Sequence, residues 1–185
     1  MIVSRDLREE WFTPDELAIA NQFKLPKRRD EWLRSRTAAK ALALQLGIVR
    51  DARSCFVSRP RLIIDGVESE WYVSLSHSRG WAAAAIDRAP VGVDLEMVRP
   101  VDERAAHLFL RDDEAAAMHA CNLADRLLHW WAAKEAAWKQ RSSEFQTLKQ
   151  LPLRLIEERG EGLTFDAATT ERRGDLVLAV TRPTF

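Results

Sequence analysis

The chain contains a weak internal repeat whose spacing is about half its length, and this feature constrains the fold more than any other. Three short segments recur in the same order, with shifts of 93 or 94 residues in a chain of 185: Ala38-Ala39-Lys40 as Ala132-Ala133-Lys134, Arg61-Leu62-Ile63 as Arg154-Leu155-Ile156, and Arg79-Gly80 as Arg173-Gly174. Agreement in order and spacing indicates a duplicated unit. We therefore predict two similar halves, residues 1–89 and 90–185, with an active site in the cleft between them.

The hydrophobic spacing within each half mixes helical and strand patterns. In the first half it predicts a capped helix from Thr13, a helix over about 28–46, and strands near 55–65, 72–75 and 81–86. In the second half it predicts a strand at 91–96, helices near 103–120 and 123–141, a hairpin around 160–162 and a strand at 176–181. The predicted fold class is α+β, with two similar α+β halves related by a pseudo-two-fold axis.

Composition and charge exclude several classes of function. The 28 basic side chains balance 28 acidic ones, which argues against a nucleic-acid-binding protein. The longest apolar run, Trp81 to Ile86, is too short for a membrane span, and the N-terminus has no apolar signal core. Two lone cysteines, Cys55 and Cys121, provide neither a disulfide framework nor a metal knuckle. We therefore expect a cytoplasmic protein that binds neither membrane nor nucleic acid.

The segment Gly92-Val93-Asp94-Leu95-Glu96 places two carboxylates on one face of a predicted strand. Their Cα atoms are ~6.6 Å apart along the strand, so the charges repel unless a cation or water separates them. One interpretation is a half-buried strand with a solvated acidic face. The other is a site for a hard divalent cation such as Mg²⁺, which prefers oxygen ligands and accompanies phosphate substrates.

The helix that contains Trp130, Trp131 and Trp138 also carries Lys134, Glu135 and Lys139. Glu135 and Lys139 are spaced i,i+4, which is typical of a surface ion pair. Three tryptophans around the pair argue against a freely solvated helix. A third carboxylate beside two lysines would complete a metal site and bind a diphosphate.

Two further groups are candidates for phosphate binding. In Ser74-Leu75-Ser76-His77-Ser78, His77 lies where a strand enters a turn; it is either a structural residue or, with its flanking hydroxyls, a phosphate contact. Arg28 and Arg36 are two helical turns apart on one face, which suits two contacts to one anion, and Arg59 adds a third charge. The other basic residues nearby are interpreted as a solvated charged face.

These segments together resemble the signature of the 4′-phosphopantetheinyl transferases. Gly92-Val93-Asp94-Leu95-Glu96 is similar to G-[VI]-D-[VIL]-E, and residues 131–139 are similar to W-x-x-K-E-[AS]-x-x-K. Residues 74–78 are similar to a third motif of the family. The three motifs cover residues 74–139 in the family's order. The double-length chain resembles the monomeric, two-half type that activates surfactin and siderophore synthetases, rather than the trimeric half-length type.

The resemblance implies a reaction and a role for each residue. Phosphopantetheine would pass from coenzyme A to a serine of an apo acyl or peptidyl carrier protein, with release of 3′,5′-ADP and with Mg²⁺ as cofactor. Asp94, Glu96 and Glu135 match the metal ligands; Glu135 would also help to deprotonate the serine. Lys139 matches the lysine that binds phosphate and assists the leaving group. The residues that match contacts to coenzyme A are Arg28, Arg36, Arg59, Ser76, His77 and, more weakly, Lys134. Ser58-Arg59-Pro60 departs from the family's Gly-Lys-Pro but keeps the charge.

The resemblance also assigns the halves different tasks, with coenzyme A nucleotide binding in residues 1–89 and the metal and catalytic helix in residues 90–185. For the carrier protein, residues 103–124 are the candidate contact segment, although core packing against the other half is expected to account for most of their apolar side chains. The sequence leaves open whether the acceptor belongs to fatty-acid, polyketide or non-ribosomal peptide synthesis. Two other functions remain open: a non-catalytic homologue that binds coenzyme A or a carrier protein, and an unrelated Mg²⁺-dependent phosphodiesterase.

Overall fold

The computed structural model describes residues 1–141 and 144–181, and the chain divides into two units, Met1–Pro90 and Val91–Phe185. Among the described helices, none is both long and apolar enough to cross a membrane. In each unit an antiparallel five-stranded sheet packs against a long helix. The predicted α+β class with two similar halves is therefore confirmed.

The first unit begins with an edge strand and two helices. Its elements are β1 (Ile2–Ser4), α1 (Pro14–Ala20), α2 (Pro26–Gln45), β2 (Cys55–Ser58), β3 (Arg61–Ile64), β4 (Val67–Ser78) and β5 (Trp81–Asp87), with short 3₁₀ helices at Glu9–Trp11 and Ala52–Ser54. The strand order is β1-β5-β4-β3-β2. Alanines and leucines of α2 pack on the sheet, where the alanines of β5 leave room for a close approach.

The second unit repeats this order of elements. They are β6 (Val93–Met97), α3 (Asp112–Ala120), α4 (Arg126–Arg141), β7 (Leu155–Arg159), β8 (Gly162–Phe165), β9 (Ala168–Arg173) and β10 (Leu176–Thr181), with a 3₁₀ helix at Glu103–Leu108. The strand order, β6-β10-β9-β8-β7, is that of the first unit. On one side α4 packs Trp130 edge-on against Phe165, with ring centroids 4.7 Å apart.

The structure separates real repeat matches from a chance one. Ala38-Ala39-Lys40 and Ala132-Ala133-Lys134 occupy equivalent places on α2 and α4, and Gly80 and Gly174 occupy equivalent turns before β5 and β10. Both glycines have positive φ angles, +83° and +60°, which residues other than glycine rarely adopt. The Arg-Leu-Ile match is fortuitous, because it aligns β3 with β7, and the topological counterpart of β7 is β2.

Two predicted elements are interrupted in the structure. The strand predicted at 55–65 is a hairpin, since the chain turns at Arg59-Pro60 between β2 and β3. The helix predicted at 103–120 is a 3₁₀ turn followed by α3, because Phe109 and Leu110 leave the helix and enter the core, where they are 4% and 1% exposed.

A buried lysine–glutamate pair joins the helices within each unit. Lys40 on α2 donates from Nζ to Glu16 Oε2 at 3.1 Å and to the carbonyls of Ala52 and Cys55. Glu16 also caps α1, where its carboxylate accepts from the Thr13 N–H. Lysine and glutamate are almost never this deeply buried unless they are paired and hydrogen-bonded.

The equivalent pair in the second unit has the same construction. Lys134 Nζ donates to Glu114 Oε1 at 2.8 Å and to the carbonyls of Leu148 and Leu151. Glu114 in turn accepts from the backbone N–H groups of Arg111 and Leu153. Both lysines are 0% exposed. Each pair therefore connects the long helix, the short helix and the loop that leads into the first hairpin.

We expect Lys40→Met and Lys134→Met each to lower the free energy of unfolding by about 3–5 kcal/mol, because each leaves a buried carboxylate without its ammonium partner. Urea unfolding followed by circular dichroism measures the change. The matched control is Lys27→Met on α2, whose side chain is 82% exposed; it should shift stability by less than ~0.5 kcal/mol. Losses no larger than that of the control would contradict the structural role of the buried lysines.

Candidate active site

The acidic strand β6 belongs to the second unit, and its side chains are largely buried. Asp94 is 5% exposed and Glu96 is half-buried, while the alternate residues Val93 and Leu95 are almost fully buried. β6 is an edge strand of the sheet and pairs with β10, where Asp94 lies opposite Ala179. The carboxylate of Asp94 is therefore buried, and the alternative of a solvated acidic face is wrong for this residue.

Gly92 allows the strand to lie against α4. A Cβ atom at this position would be 1.8 Å from the carbonyl oxygen of Ala136, so no other residue fits without moving the helix. Gly92 and Thr181 also exchange hydrogen bonds, with the Gly92 N–H donating to Thr181 Oγ1 at 2.8 Å. The close approach brings the side chains of α4 to the carboxylates of β6.

Lys139 contacts the acidic strand directly. Its Nζ donates to Asp94 Oδ1 at 2.7 Å and to the carbonyl oxygen of Val93 at 3.0 Å. The side chain of Lys139 is 22% exposed and that of Asp94 is 7% exposed. The sequence spacing suggested an ion pair with Glu135, but Lys139 forms an ion pair with Asp94, because Gly92 brings β6 close to α4.

Electrostatic coupling links the three predicted metal ligands. Burial raises the pKa of Glu96, and the charge of Asp94 raises it further, while the N–H of Trp131 lowers it by donating to Glu96 Oε1 at 3.0 Å. Burial also raises the pKa of Glu135, again with a contribution from Asp94. Asp94 therefore acts on both glutamates, and all three carboxylates belong to one electrostatic group.

Within residues 1–141 and 144–181, no three His, Cys, Asp or Glu side chains are gathered closely enough to hold a metal ion as they stand. The donor set nevertheless fits a hard divalent cation, because carboxylate oxygens are the ligands that Mg²⁺ prefers. A cation would also relieve the repulsion that raises the pKa values of Glu96 and Glu135.

Arg36 and Arg59 of the first unit lie close enough to repel each other. Burial, together with the charge of Arg59, lowers the pKa of Arg36 to about 10. The guanidinium of Arg36 stacks on the ring of Trp32 at 3.9 Å from its centroid. A partly buried guanidinium beside a second cation is a suitable place for an anion, because an anion would offset both the burial and the repulsion.

Arg28 and His77 meet at the carboxylate of Glu31 on α2. Arg28 Nη1 is 3.8 Å from Glu31 Oε2, and His77 Nδ1 is 3.9 Å from Glu31 Oε1. Ser76 is 7% exposed and, by strand alternation, points to the opposite face of β4. Arg28 and Arg36 share a helix, as predicted, but they belong to separate clusters ~12 Å apart along its axis.

One predicted ligand-binding residue lies outside both groups. Lys134 is fully buried and donates to Glu114 and to two backbone carbonyls, so its ammonium is not available to a phosphate. We therefore correct its assignment from coenzyme A contact to structural residue. It lies five positions before Lys139, which places the two lysines on different sides of α4.

Sequence reasoning missed two residues of these groups. Trp131 was part of the helical motif, but its hydrogen bond to Glu96 depends on how β6 and α4 approach, which no local pattern specifies. Glu31 had a detectable signal, since it follows Lys27 and Arg28 by four and three residues, the spacing of helical ion pairs.

The candidate carrier-contact segment contributes several apolar side chains to the core of its own unit. Phe109, Leu110 and Met118 are buried, whereas Leu108 is 69% exposed. Leu108 and Phe109 line an apolar cavity of about 350 Å³ that extends to Trp131. Leu108 is therefore the large apolar side chain of this segment that remains exposed.

Comparison with known proteins identifies one family model and several relatives. Residues 90–181 match the family model described as the 4′-phosphopantetheinyl transferase superfamily. A 4′-phosphopantetheinyl transferase of Bacillus pumilus, psf-1, is 37% identical over 70 residues, covering 36% of this chain and 30% of the relative. The transferase Sfp of Bacillus subtilis is 31% identical over 72 residues, covering 37% of this chain and 32% of the relative.

The aligned segments thus span about a third of the length of these curated relatives. The family model covers the part of the chain that carries the buried acidic strand and the helix of Trp131, Glu135 and Lys139. Through this unit, the chain belongs to the 4′-phosphopantetheinyl transferase superfamily.

Proposed function

We propose that the protein transfers the 4′-phosphopantetheine group of coenzyme A to a serine of an apo acyl or peptidyl carrier protein. The observation that carries the proposal is the contact of Lys139 with Asp94, in an electrostatic group that includes Glu96 and Glu135. A lysine and three coupled carboxylates suit transfer at a diphosphate, a reaction that depends on charge neutralisation and positioning.

In the proposed reaction the serine Oγ forms a bond to the phosphorus that carries pantetheine. The bridging P–O bond breaks, its electron pair leaves with 3′,5′-ADP, and the serine hydroxyl loses its proton. Glu135 is the proposed proton acceptor, because burial raises the pKa of its carboxyl group and so makes the carboxylate a stronger base. Lys139 is proposed to donate to a phosphate oxygen of the leaving group.

Asp94, Glu96 and Glu135 are the residues that would hold Mg²⁺. When bound, the cation neutralises negative charge on the diphosphate. Without it, Lys139 supplies the positive charge beside Asp94. The ammonium has three N–H donors, two of which reach Asp94 and Val93, so a further N–H can donate to a phosphate of the substrate.

The first unit is proposed to bind the anionic nucleotide end of coenzyme A. Arg36 and Arg59 are the preferred residues for its 3′-phosphate, because their mutual repulsion and the burial of Arg36 are offset by an anion. Arg28 and His77, which share Glu31, are proposed as further contacts; Ser76, on the opposite face of β4 from His77, is not assigned to this cluster.

The direct test is mass spectrometry of apo carrier proteins incubated with the protein, coenzyme A and Mg²⁺. Fatty-acid, polyketide and non-ribosomal peptide carriers would all be offered, since the acceptor class is open. A carrier that gains phosphopantetheine on its serine, with stoichiometric 3′,5′-ADP, supports the proposal. A protein that binds coenzyme A but modifies no carrier would instead be the non-catalytic homologue. Hydrolysis without an acceptor would indicate a phosphodiesterase.

Asp94→Asn should reduce transfer by more than 100-fold at any practical Mg²⁺ concentration, because it removes a charged ligand while conserving side-chain size. Steady-state transfer rates over a Mg²⁺ titration measure the effect. The control is Asp112→Asn, an exposed carboxylate in the first turn of α3, which should retain the parental rate. Near-parental turnover in Asp94→Asn would rule out the three-carboxylate site.

Arg36→Ala should weaken binding of coenzyme A by about 10- to 150-fold, the equivalent of one charged hydrogen bond. Binding of 3′-dephospho-coenzyme A should change much less, since it lacks the proposed partner phosphate. Calorimetric titration gives both affinities. Arg29→Ala on the same helix, whose guanidinium binds Glu9 and Asn21, should affect neither ligand. Equal losses for both ligands would assign Arg36 a structural role.

Lys139→Met should lower kcat by at least two orders of magnitude, because the leaving phosphate loses a cationic donor. In the presence of a chelator, the substitution should also lower Tm, because Asp94 loses its ammonium partner. Each kcal/mol of stability lost lowers Tm by ~2–4 °C in a chain of this size. Added Mg²⁺ should restore Tm but not kcat. The exposed Lys149→Met is the control. Turnover within about threefold of the parent would refute the catalytic role.

A further inference from the structure

Trp131 is hydrogen-bonded to a carboxylate of the acidic strand. Its Nε1–H donates to Glu96 Oε1 at 3.0 Å, across the contact between α4 and β6. Both side chains are half-buried, so this bond competes less with water than a bond on an open surface would. The hydrogen bond occupies one carboxylate oxygen of Glu96 and fixes the direction in which the other can be presented.

The ring of Trp131 is itself held in place. Phe109 meets it edge-on, with centroids 5.0 Å apart and planes at 87°. Phe109 is 4% exposed and belongs to the core of the second unit, so close-packed neighbours hold it in place. A line of contacts therefore runs from the core through Phe109 and Trp131 to Glu96.

The other indoles of the motif helix have different partners. Trp138 donates to the carbonyl oxygen of Phe145 at 3.3 Å, and Trp130 is fully buried against Phe165. Trp131 and Trp138 thus differ in what their N–H groups reach, while they share a helix, a residue type and partial exposure. This difference makes Trp138 a matched control for any effect specific to the Glu96 contact.

We propose that Trp131 is a positioning residue that orients the Glu96 carboxylate for the divalent cation, an inference that rests on the proposed function. The indole N–H acts through Glu96, since it binds the carboxylate from the side of the core. Partners that hold a ligand in this way typically contribute 10- to 100-fold to metal affinity. A phenyl ring at position 131 would keep an aromatic side chain beside Phe109 but would lose the N–H that binds Glu96.

The test compares Trp131→Phe with Trp138→Phe in Mg²⁺ binding to the free protein, measured by calorimetry, and in the rise of Tm on adding Mg²⁺. Trp131→Phe should weaken Mg²⁺ binding by about 10- to 100-fold and reduce the rise of Tm accordingly. In the transfer assay it should raise the Mg²⁺ concentration needed for half-maximal rate, with kcat largely recovered at saturation. Trp138→Phe should leave both the Mg²⁺ affinity and the rise of Tm on adding Mg²⁺ unchanged.

The outcomes distinguish failure of this inference from failure of the proposed function. If Trp131→Phe binds Mg²⁺ like the parent while the parent transfers phosphopantetheine, the positioning role is overturned and the function stands. Equal losses in both tryptophan variants, or a lower Tm in chelator without a change in Mg²⁺ affinity, would show that the residue serves packing alone. A parent protein that neither binds Mg²⁺ nor transfers phosphopantetheine would overturn both.

Discussion

The two buried lysine–glutamate pairs are the interactions on which the rest of the structure depends. Lys40 and Lys134 each bring an ammonium group into the core, where desolvation is costly unless every donor is used. A glutamate at the third position of a short helix and two loop carbonyls meet that requirement. The long helix is therefore fixed relative to the short helix and to the loop before the first hairpin of each unit.

This requirement explains why an Ala-Ala-Lys segment was the clearest repeat in the sequence. The alanines, 0% exposed in both units, let the helix approach the sheet, and the lysine must then reach the same polar partners. The glutamate partners, Glu16 and Glu114, are 98 positions apart rather than 94, because α2 has six more residues before its lysine than α4 has, while α1 is two residues shorter than α3. The pairing itself was consequently invisible to a search for a constant shift.

The elements and the two halves could be predicted because their signals are local: a capping box at Thr13, alternation along β6, and glycines in the turns. Contacts between elements could not. The partner of Lys139 follows from the approach of β6 to α4 at Gly92, and the burial of Lys134 follows from α3, which is distant in sequence. Helical spacing shows which residues share a face, but it does not show what that face meets.

The second unit adds a chemical face to a framework that both units share. Trp131, Glu135 and Lys139, spaced i, i+4 and i+8, follow one side of α4; Trp131 reaches Glu96 and Lys139 reaches Asp94. The side chains span ~12 Å of helix but meet carboxylates only ~6.6 Å apart along the strand, so they converge. Glu135 lies between them on the helix and is coupled to Asp94.

The residues of α2 that lie 94 positions before Trp131, Glu135 and Lys139 are Thr37, Ala41 and Gln45. On the edge strand of the first unit, the position that corresponds to Glu96 in the pairing register is Val3. The first unit therefore retains the buried lysine without the carboxylates or the second lysine. Since the framework forms in both units, the charged face is not needed for folding. Its presence in the second unit, despite the cost of placing three carboxylates near one another, is the physical argument that those residues serve chemistry.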